Sequence, residues 1–400
     1  MVITYFSYLW DIDGVSAGSA IKAKEFLRAM NDLGHKTYLE WRAPQPNGQV
    51  TLTGKVKESY LKPTLQKYLH EPKRLAQNLP QMLEEYQILR RQKPDILFDR
   101  LEVYNFSGRW LSKWLNIPLV VEADCPPTYE LMNYYGKNYK HLGNLATRLE
   151  LKALQEADAA IVISNILKNY YVQLGIPAEK MHVIPNAVDP EKFRPMPKDR
   201  ELVEKYGLAD KIVVGWIGSL VGWSGIENLI EAARSILSSR PDVCFMMVGG
   251  GKNQEFFQQQ LQTGPHASRV ILPGWVPHAQ APRYISCMDI VLAPYPKVDF
   301  WYPSSVKIFE YMAAGKAVVA TDVGQVPEII EEGINGYLFD PDRKHELGEK
   351  ILALVDSPET RRRFGEKARR DVEQRWNWKS MAHQMLEIFA GVIQRHRAMR

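Results

Sequence analysis

The sequence has few cysteines and no apolar segment long enough to cross a membrane. Its 400 residues include three cysteines, so at least one is unpaired in any disulfide scheme, which excludes a small disulfide-stabilised fold. No run of about 18 apolar residues occurs, and Met1–Tyr8 lacks the basic segment that begins a signal peptide. We therefore expect a cytoplasmic protein in a reducing compartment.

Metal-binding sequence patterns and a strong net charge are also missing. The nine histidines are scattered, without His-x3-His or Cys-x2-Cys spacing, so no metal site is predicted. The balance of 51 basic against 46 acidic residues excludes histone-like nucleic-acid binding, and the 45% of hydrophobic residues excludes a disordered chain. At roughly 150 residues per domain, the length corresponds to two or three domains.

Short apolar segments alternate with helix-length polar stretches along the chain. Such segments are typical of strands in a parallel sheet that is covered by helices on both faces. Four prolines between residues 185 and 197 interrupt the series, because proline is excluded from helix interiors and central strands. The predicted strands are Val2–Tyr8, Thr37–Glu40, Asp95–Phe98, Pro118–Glu122, Ala159–Ile163, Met181–Ile184, Ile212–Ile217, Val243–Val248, Val270–Leu272, Ile290–Leu292, Ala317–Ala320 and Gly336–Phe339.

This order of elements predicts an α/β protein with two Rossmann-like domains that face a central cleft. Residues 1–185 would form an N-terminal domain, residues 186–198 a linker, and residues 199–375 a C-terminal domain that binds a phosphorylated ligand. Residues 376–400 would form a helix that packs back on the first domain. The tryptophans at 376 and 378 are expected to pack in that segment rather than to bind a ligand.

A dense group of polar residues follows the predicted strand at 290–292. Ser304 and Ser305 can cap a helix whose first amides would face a phosphate, with Lys307 in its first turn. A cation there opposes the helix dipole by up to about 1 kcal/mol, and an anionic ligand would offset that cost. Glu310 can reach hydroxyls beside the phosphate. The alternative is a capped amphipathic helix with a surface ion pair between Lys307 and Glu310.

Several motifs in this half of the chain resemble the donor-binding core of family 4 retaining glycosyltransferases. The resemblance is strong over residues 155–340 and weak before them. It implies a GT-B fold, in which the C-terminal domain holds most of a nucleotide sugar. The motifs, in the family's order and spacing, are Ile163–Ser164, Val183–Asp189 with Phe193, Gly215–Ala232, Glu310–Ala320, Thr321–Glu328 and Gly333–Phe339.

The resemblance also implies a set of donor-binding residues. Glu310 would bind the nucleotide ribose, Gly14 would lie near the diphosphate, and Val276 would sit against the base through its backbone. Gly249 could approach a phosphate after its strand, with a plain turn as the alternative. The donor-binding positions are Gly14, Gly218, Ser219, Ser224, Gly249, Val276, Ser304, Ser305, Val306 and Glu310.

Three positions depart from the family's pattern. Tyr302 replaces the first glutamate of a Glu-x7-Glu motif, so the acidic group that usually touches the donor sugar is absent or supplied by Asp299. Ser219 and Ser224 stand where an arginine and a lysine usually clamp the diphosphate. Each lost charge-assisted contact corresponds to roughly 1.5–3 kcal/mol. Lys307 is the candidate to restore one of these charges.

The resemblance implies a glycosyltransferase that moves a sugar with retention to a glycan, lipid or small-molecule acceptor, with residues 1–185 on the acceptor side. No aspartate cluster with metal-ligand spacing follows a predicted strand, so we predict a metal-independent reaction without a cofactor. Catalysis would rest on electrostatic stabilisation of the leaving diphosphate, with Glu310, Lys307 and Asp124 as catalytic residues. Asp124 would contact the donor sugar or the acceptor, unless it organises a proline-containing turn. The departures leave open a non-catalytic nucleotide-sugar-binding subunit, and, ranked lower, a GT-B epimerase or phosphorylase.

Basic residues concentrate in one window of the first domain. Residues 42–93 hold ten basic and four acidic residues. Apolar residues interleaved with lysines are typical of membrane-surface helices, and a solvated helix that packs on the first domain is the alternative. In the first case the protein would lie at the inner face of the membrane, with a lipid-linked or anionic acceptor. The interleaved residues are Lys57, Tyr60, Leu61, Lys62, Leu65, Lys67, Tyr68 and Leu69.

Overall fold

The chain folds into two compact units. A computed structural model describes residues 1–7, 17–41, 63–133, 142, 144–220, 225–251, 253–343 and 345–398. The first unit comprises Met1–Pro185 and Trp378–Arg400, and the second comprises Asn186–Asn377.

The first unit is built on a six-stranded parallel sheet with the order β2-β1-β3-β4-β5-β6. The strands β1, β3, β4 and β5 consist almost wholly of buried residues, as expected where helices cover both faces, whereas the edge strands β2 and β6 are mostly half-buried. The strands are β1 (Val2–Ser7), β2 (Lys36–Trp41), β3 (Ile96–Arg100), β4 (Leu119–Ala123), β5 (Ala159–Val162) and β6 (Met181–Val183).

Within the described residues, six helices lie between these strands. The first ends before Gly34, whose φ of +84° is a left-handed conformation that glycine adopts without strain. The helices are α1 (Ala17–Asp32), α2 (Pro63–Gln92), α3 (Ser107–Leu115), α4 (Pro127–Asn133), α5 (Leu145–Glu156) and α6 (Asn165–Gln173).

The second unit has a six-stranded parallel sheet with the order β12-β11-β10-β7-β8-β9. Successive residues of a strand enter opposite cores: Met246 packs in one hydrophobic cluster, while Phe245 and Met247 pack in the other. The strands are β7 (Ile212–Ile217), β8 (Val243–Val248), β9 (Val270–Gly274), β10 (Ile290–Ala293), β11 (Ala317–Thr321) and β12 (Gly336–Phe339).

In the described residues from 200 onward, eight helices belong to the second unit and a ninth belongs to the first. They are α7 (Arg200–Tyr206), α8 (Ile226–Ser239), α9 (Gln254–Leu261), α10 (Ala281–Cys287), α11 (Val306–Ala313), α12 (Val326–Ile329), α13 (Glu346–Asp356), α14 (Pro358–Gln374) and α15 (Trp378–Ala398), the last of which lies in the first unit.

Helix α15 packs in the first unit through aromatic contacts. The ring of Trp378 lies 5.0 Å from that of Phe26 on α1, and Phe389 lies 5.4 Å from Phe98 on β3. Trp376 is buried in the second unit, 5.9 Å from Phe309. Both tryptophans therefore pack in cores, as expected. No helix in the described ranges is long and apolar enough to cross a membrane.

The structure contains each of the twelve predicted strands, with ends that differ by at most a few residues. It differs from the sequence analysis at residues 186–198, which were predicted to form a linker and instead belong to the second unit. Val188 and Phe193 are buried there, and the Val188 N–H donates to the carbonyl of Trp376 at 3.2 Å. The prolines exclude a helix, but the apolar residues between them still pack in the core.

Candidate functional site

The sheet of the second unit reverses its strand order between β7 and β10. Strands β7, β8 and β9 follow one another in one direction, and β10, β11 and β12 in the other. Ligands of parallel α/β sheets bind outside the carboxyl ends of the strands at such a reversal. The residues that follow β7 and β10 include Gly218, Ser304 and Ser305, so several predicted donor-binding positions lie at this reversal.

Three glycines pack their backbones together at the ends of β7, β8 and β9. The N–H of Gly218 donates to Val248, and the N–H of Gly249 donates to Gly274 at 2.8 Å. A Cβ atom on Gly249 would lie 1.8 Å from the carbonyl oxygen of Gly218, and φ there is +140°. These two glycines therefore contribute close backbone packing, and their N–H groups are engaged within the protein.

Lys307, in the first turn of α11, lies between two aromatic rings. Its Nζ atom is 4.4 Å from the ring centre of Trp216 and 5.6 Å from that of Tyr295. Burial lowers the pKa of Lys307 to about 7, although the nearby charge of Glu310 opposes the shift. An anion at this place would stabilise the charged form.

The position of Lys307 is set by the packing of α11 on β7. Tyr311, one turn further along the helix, accepts a hydrogen bond from the N–H of Ile217 at 2.8 Å. Side chains four residues apart share a helix face, so Lys307 points at the residues that follow β7. Its Nζ lies 2.6 Å from where a Cβ atom of Gly218 would be. The lysine thus reaches the loop in which the family's usual basic residues are replaced.

Ser304 and Ser305 precede α11 but do not cap it with their side chains, contrary to expectation. The Ser304 hydroxyl accepts from the N–H of Asn186 at 3.0 Å, and its carbonyl accepts from the Asn186 amide at 2.7 Å. The Ser305 hydroxyl bonds instead to the hydroxyl of Tyr295. Among the described residues, no acceptor bonds to the N–H groups of Ser305 or Val306, so both can donate to a ligand.

Glu310 takes part in a chain of polar side chains that the sequence analysis did not predict. His278 Nε2 and Glu310 Oε1 lie 2.6 Å apart, and Lys192 Nζ lies 3.2 Å from His278 Nδ1. Because an ammonium group only donates, His278 Nδ1 accepts from Lys192, and Nε2 carries the N–H that is donated to Glu310. The predicted alternative, a surface pair of Glu310 with Lys307, is wrong, since Glu310 is buried and bonds to His278.

The departures from the family's pattern have different surroundings. Tyr302 is buried with 3% of its surface exposed, and its ring lies 5.2 Å from that of Phe300. Asp299 and Ser219 are exposed. A buried aromatic ring therefore occupies the place of the family's first glutamate.

Three further predictions complete the donor-binding set. Val276 follows β9 and packs, partly buried, against the core of the second unit. Gly14 and Ser224 lie outside the described residues. The structure thus brings together Lys307, Glu310 and the N–H groups before α11.

Asp124 lies in the first unit, directly after β4, in a buried network of charges. Its carboxylate bonds to Arg100 Nη1 at 2.7 Å and to Lys22, which also pairs with Glu122 at 2.9 Å. Burial by itself would raise the pKa of Asp124, but Lys22 and Arg100 together hold it below its ordinary value. Asp124 is thus a charged, paired carboxylate rather than a free base.

The residues that the sequence analysis missed come from distant parts of the chain. Lys22 is on α1, Arg100 ends β3, and His278 follows β9. Arg100 and His278 have one sequence signal, their position shortly after predicted strands, where ligand-binding residues of parallel sheets concentrate. Lys22 lies within a helix and has no such signal.

The basic window divides between described and undescribed residues. Residues 42–62 lie outside the described ranges, and residues 63–92 form α2. The side chains of Leu65, Lys67, Tyr68 and Leu69 are not described either.

In the described part of the chain, no group of three histidine, cysteine, aspartate or glutamate residues is arranged to hold a metal ion.

Two family models match consecutive parts of the chain. The model described as "Glycosyltransferase Family 4" matches residues 17–192, and the model described as "Glycosyl transferases group 1" matches residues 198–371.

Characterised relatives are similar at low identity. An alpha-D-kanosaminyltransferase of Streptomyces kanamyceticus is 26% identical over 64% of this chain and 66% of its own length. An alpha-maltose-1-phosphate synthase of Mycolicibacterium smegmatis is 24% identical over 61% of this chain and 66% of its own. A GDP-mannose-dependent mannosyltransferase of the same organism is 24% identical over 59% and 63%. The matched regions thus span slightly less than two thirds of these relatives.

Solved structures are similar along nearly the whole chain. Sucrose-phosphate synthase of Thermosynechococcus elongatus has a TM-score of 0.73 at 18% identity and covers 98% of this chain and 99% of its own. Anabaena HepE in complex with UDP has a TM-score of 0.72 at 20% identity and covers 98% and 100%. These neighbours have the GT-B fold, so the predicted fold class is confirmed.

Proposed function

The chain belongs to the GT-B glycosyltransferases that these two family models describe, and from this premise we propose that it transfers a sugar from a nucleotide-diphosphate sugar with retention. The observation that carries the proposal is the position of Lys307. A half-buried lysine between two rings, on a helix whose start carries two unengaged N–H groups, is suited to a diphosphate. The acceptor is a glycan, a lipid or a small molecule, which the first unit is proposed to bind.

The proposed reaction needs electrostatic stabilisation rather than a strong nucleophile. The bond between the anomeric carbon and the diphosphate oxygen breaks, the acceptor oxygen bonds to that carbon on the same face, and the acceptor proton passes to the leaving phosphate. Negative charge then grows on the diphosphate, where Lys307 and the N–H groups of Ser305 and Val306 would stabilise it. No metal ion is required in this scheme.

Glu310 is proposed to orient the nucleotide. His278 occupies one of its carboxylate oxygens, which leaves the other to accept from ribose hydroxyls. The interaction with His278 also fixes the carboxylate in one orientation before the donor arrives, so less conformational entropy is lost on binding.

The donor base is tested by thermal shift with uridine, guanosine, adenosine and thymidine diphosphates, since a bound ligand raises the melting temperature by mass action. UDP is the first choice, because HepE was solved with UDP. Glu310→Gln should weaken binding of the stabilising nucleotide about tenfold or more and leave the free protein's melting temperature unchanged, because the amide oxygen still accepts from His278. Glu331→Gln, an exposed acid of the same unit, is the matched control.

Transfer is tested with labelled donors and a panel of acceptors. Activity that persists in EDTA supports metal independence, and the anomeric configuration of the product, read by NMR, tests retention. Nucleotide-sugar binding without transfer or donor hydrolysis would favour the second candidate, a non-catalytic binding subunit. That candidate is motivated by Tyr302, which is buried where the family has glutamate, and by the uncharged Ser219.

A further inference from the structure

Helix α2 of the first unit buries several polar side chains and exposes two leucines. Asn78 and Gln81 are buried, and they donate to the carbonyl of Tyr104 at 2.6 Å and to the hydroxyl of Ser107 at 2.9 Å. Leu79 and Leu83, one turn apart, have 64% and 66% of their surface exposed. A surface helix of a globular protein normally has the opposite pattern. The polar core contacts therefore turn the leucines of this helix to solvent.

Helix α3 extends this apolar surface. Trp110 and Trp114, four residues apart, have 47% and 69% of their surface exposed. The ring of Trp114 stacks on Tyr86 of α2 with 5.1 Å between ring centres, so the two helices form one continuous face. We call the set of Leu79, Leu83, Tyr86, Trp110 and Trp114 the apolar face.

This concentration of apolar side chains distinguishes the apolar face from the rest of the described surface. Ten large apolar side chains are exposed in the described part of the chain, and four of them belong to the apolar face. Single exposed leucines are ordinary, whereas a contiguous group marks an interaction site. Exposed leucine and tryptophan together are typical of surfaces that insert at the boundary between lipid headgroups and acyl chains.

The charges around the apolar face indicate the partner. Exposed residues of α2, of the residue that follows it and of α3 carry five basic side chains and one acidic one. Clustered basic residues attract anionic lipids by about 1 kcal/mol each. The exposed charged residues are Lys73, Glu84, Arg90, Arg91, Lys93 and Lys113, the last of which pairs with Glu156 at 2.8 Å.

We propose that the apolar face of α2 and α3 docks the protein on a bilayer that contains anionic lipids, with the leucines and tryptophans inserted between headgroups. The proposal goes beyond the transfer reaction. It rests on described residues of α2, which belong to the basic window, and on Trp110 and Trp114 outside that window, not on the interleaved residues 57–69. Its consequence is that the first unit would meet an acceptor at the membrane surface.

The test is co-sedimentation of the full chain with vesicles of phosphatidylcholine, alone or mixed with phosphatidylglycerol. We expect binding to the mixed vesicles that weakens with salt. Leu79→Ser/Leu83→Ser should reduce the partition coefficient about tenfold or more, since each leucine loses most of its transfer free energy. Phe256→Ser removes an aromatic side chain that is 47% exposed in the second unit, and it should leave binding unchanged.

A second measurement reports insertion directly. Vesicles with brominated acyl chains should quench tryptophan fluorescence in the wild type and not in Trp110→Phe/Trp114→Phe, which keeps the apolar surface and should still sediment with vesicles. Arg90→Glu/Arg91→Glu should lose its preference for anionic vesicles.

Absence of binding to anionic vesicles at low salt would overturn the proposal, as would unchanged binding of the leucine variant. A wild-type dimer that the leucine variant dissolves, seen by analytical ultracentrifugation, would also overturn it and assign the apolar face to a second copy of the chain. Nucleotide binding is measured separately by thermal shift, so failure of the proposed transferase function is distinguishable from failure of this proposal.

Discussion

Replacement of Lys307 by methionine should make the protein more stable and a poorer binder of diphosphates. Burial depresses the pKa of Lys307 from 10.5 to about 7, so the folded protein disfavours the charged amine. At about 1.4 kcal/mol per pKa unit, the full shift is an upper limit of about 5 kcal/mol. Partial solvent access to Lys307 reduces the gain in unfolding free energy below this limit. Loss of the contact with Trp216 reduces the gain by about 1 kcal/mol more. We expect Lys307→Met to raise the free energy of unfolding by about 1 kcal/mol near pH 7.

The stability gained in Lys307→Met should depend on pH, because it comes from removing a charged amine. The pKa of Lys307 is lower in the folded protein than in the unfolded one. The free-energy cost of keeping this amine charged in the folded protein is therefore complete below about pH 7, and it disappears as the pH rises towards 10.5. The melting temperature of the wild type should therefore approach that of Lys307→Met as the pH increases. A constant difference between the two proteins would show that the amine does not titrate in this range.

The same lysine should link nucleotide binding to proton uptake. A bound diphosphate raises the pKa of Lys307, so affinity is greatest below about pH 7 and falls, by up to about tenfold per pH unit, above it. Lys307→Met should weaken binding of the nucleoside diphosphate by about 1.5–3 kcal/mol, leave the bare nucleoside unaffected and abolish the pH dependence. Calorimetry in buffers of different ionisation enthalpy measures both effects.

A matched control exists in the same unit. Burial also lowers the pKa of Lys316, to about 8, and its Nζ donates to the carbonyl of Ser286 at 3.0 Å. Lys316→Met should leave nucleotide affinity unchanged. Equal losses for nucleoside and diphosphate in Lys307→Met, or a loss in Lys316→Met as large as in Lys307→Met, would refute the phosphate role.

Three further changes test the surroundings of the site. Gly249→Ala should lower the free energy of unfolding by about 3 kcal/mol or more in urea titrations, because its Cβ would meet the carbonyl oxygen of Gly218 at 1.8 Å; wild-type stability would contradict this. Tyr302→Glu should lower the melting temperature and fail to raise transfer activity, since it buries a carboxylate in place of a ring. Asp124→Asn should destabilise the first unit at neutral pH, and the difference from wild type should shrink in acid as the wild-type carboxylate, whose pKa is lowered, becomes protonated.

The strands and the helix at Lys307 were predictable because their signals are local. Continuous apolar segments such as Val243–Val248 indicate buried parallel strands wherever they occur, and all twelve predicted strands are present. The motifs from Ile163 to Phe339 implied the GT-B fold in another way, through their resemblance to a known family. Apolar segments of this kind involve residues that are adjacent in the chain, so they can be recognised from the sequence alone.

The partners of the site residues were not predictable, because contacts between distant segments decide them. Glu310 meets His278 through the position of β9, and Ser304 meets Asn186, which the proline pattern assigned to a linker. Asp124 could be identified from the sequence, but its charge partners come from α1 and β3.

Lys307 shows most clearly which properties the sequence determines and which depend on the tertiary structure. Its identity and its place in the first turn of a helix follow from the sequence, and so does the expectation of an anionic ligand. Its contact with Trp216, and the burial that lowers its pKa to about 7, exist because Tyr311 anchors α11 on β7. Local propensity places a residue on an element, whereas the packing of elements decides the dielectric and the charges around it.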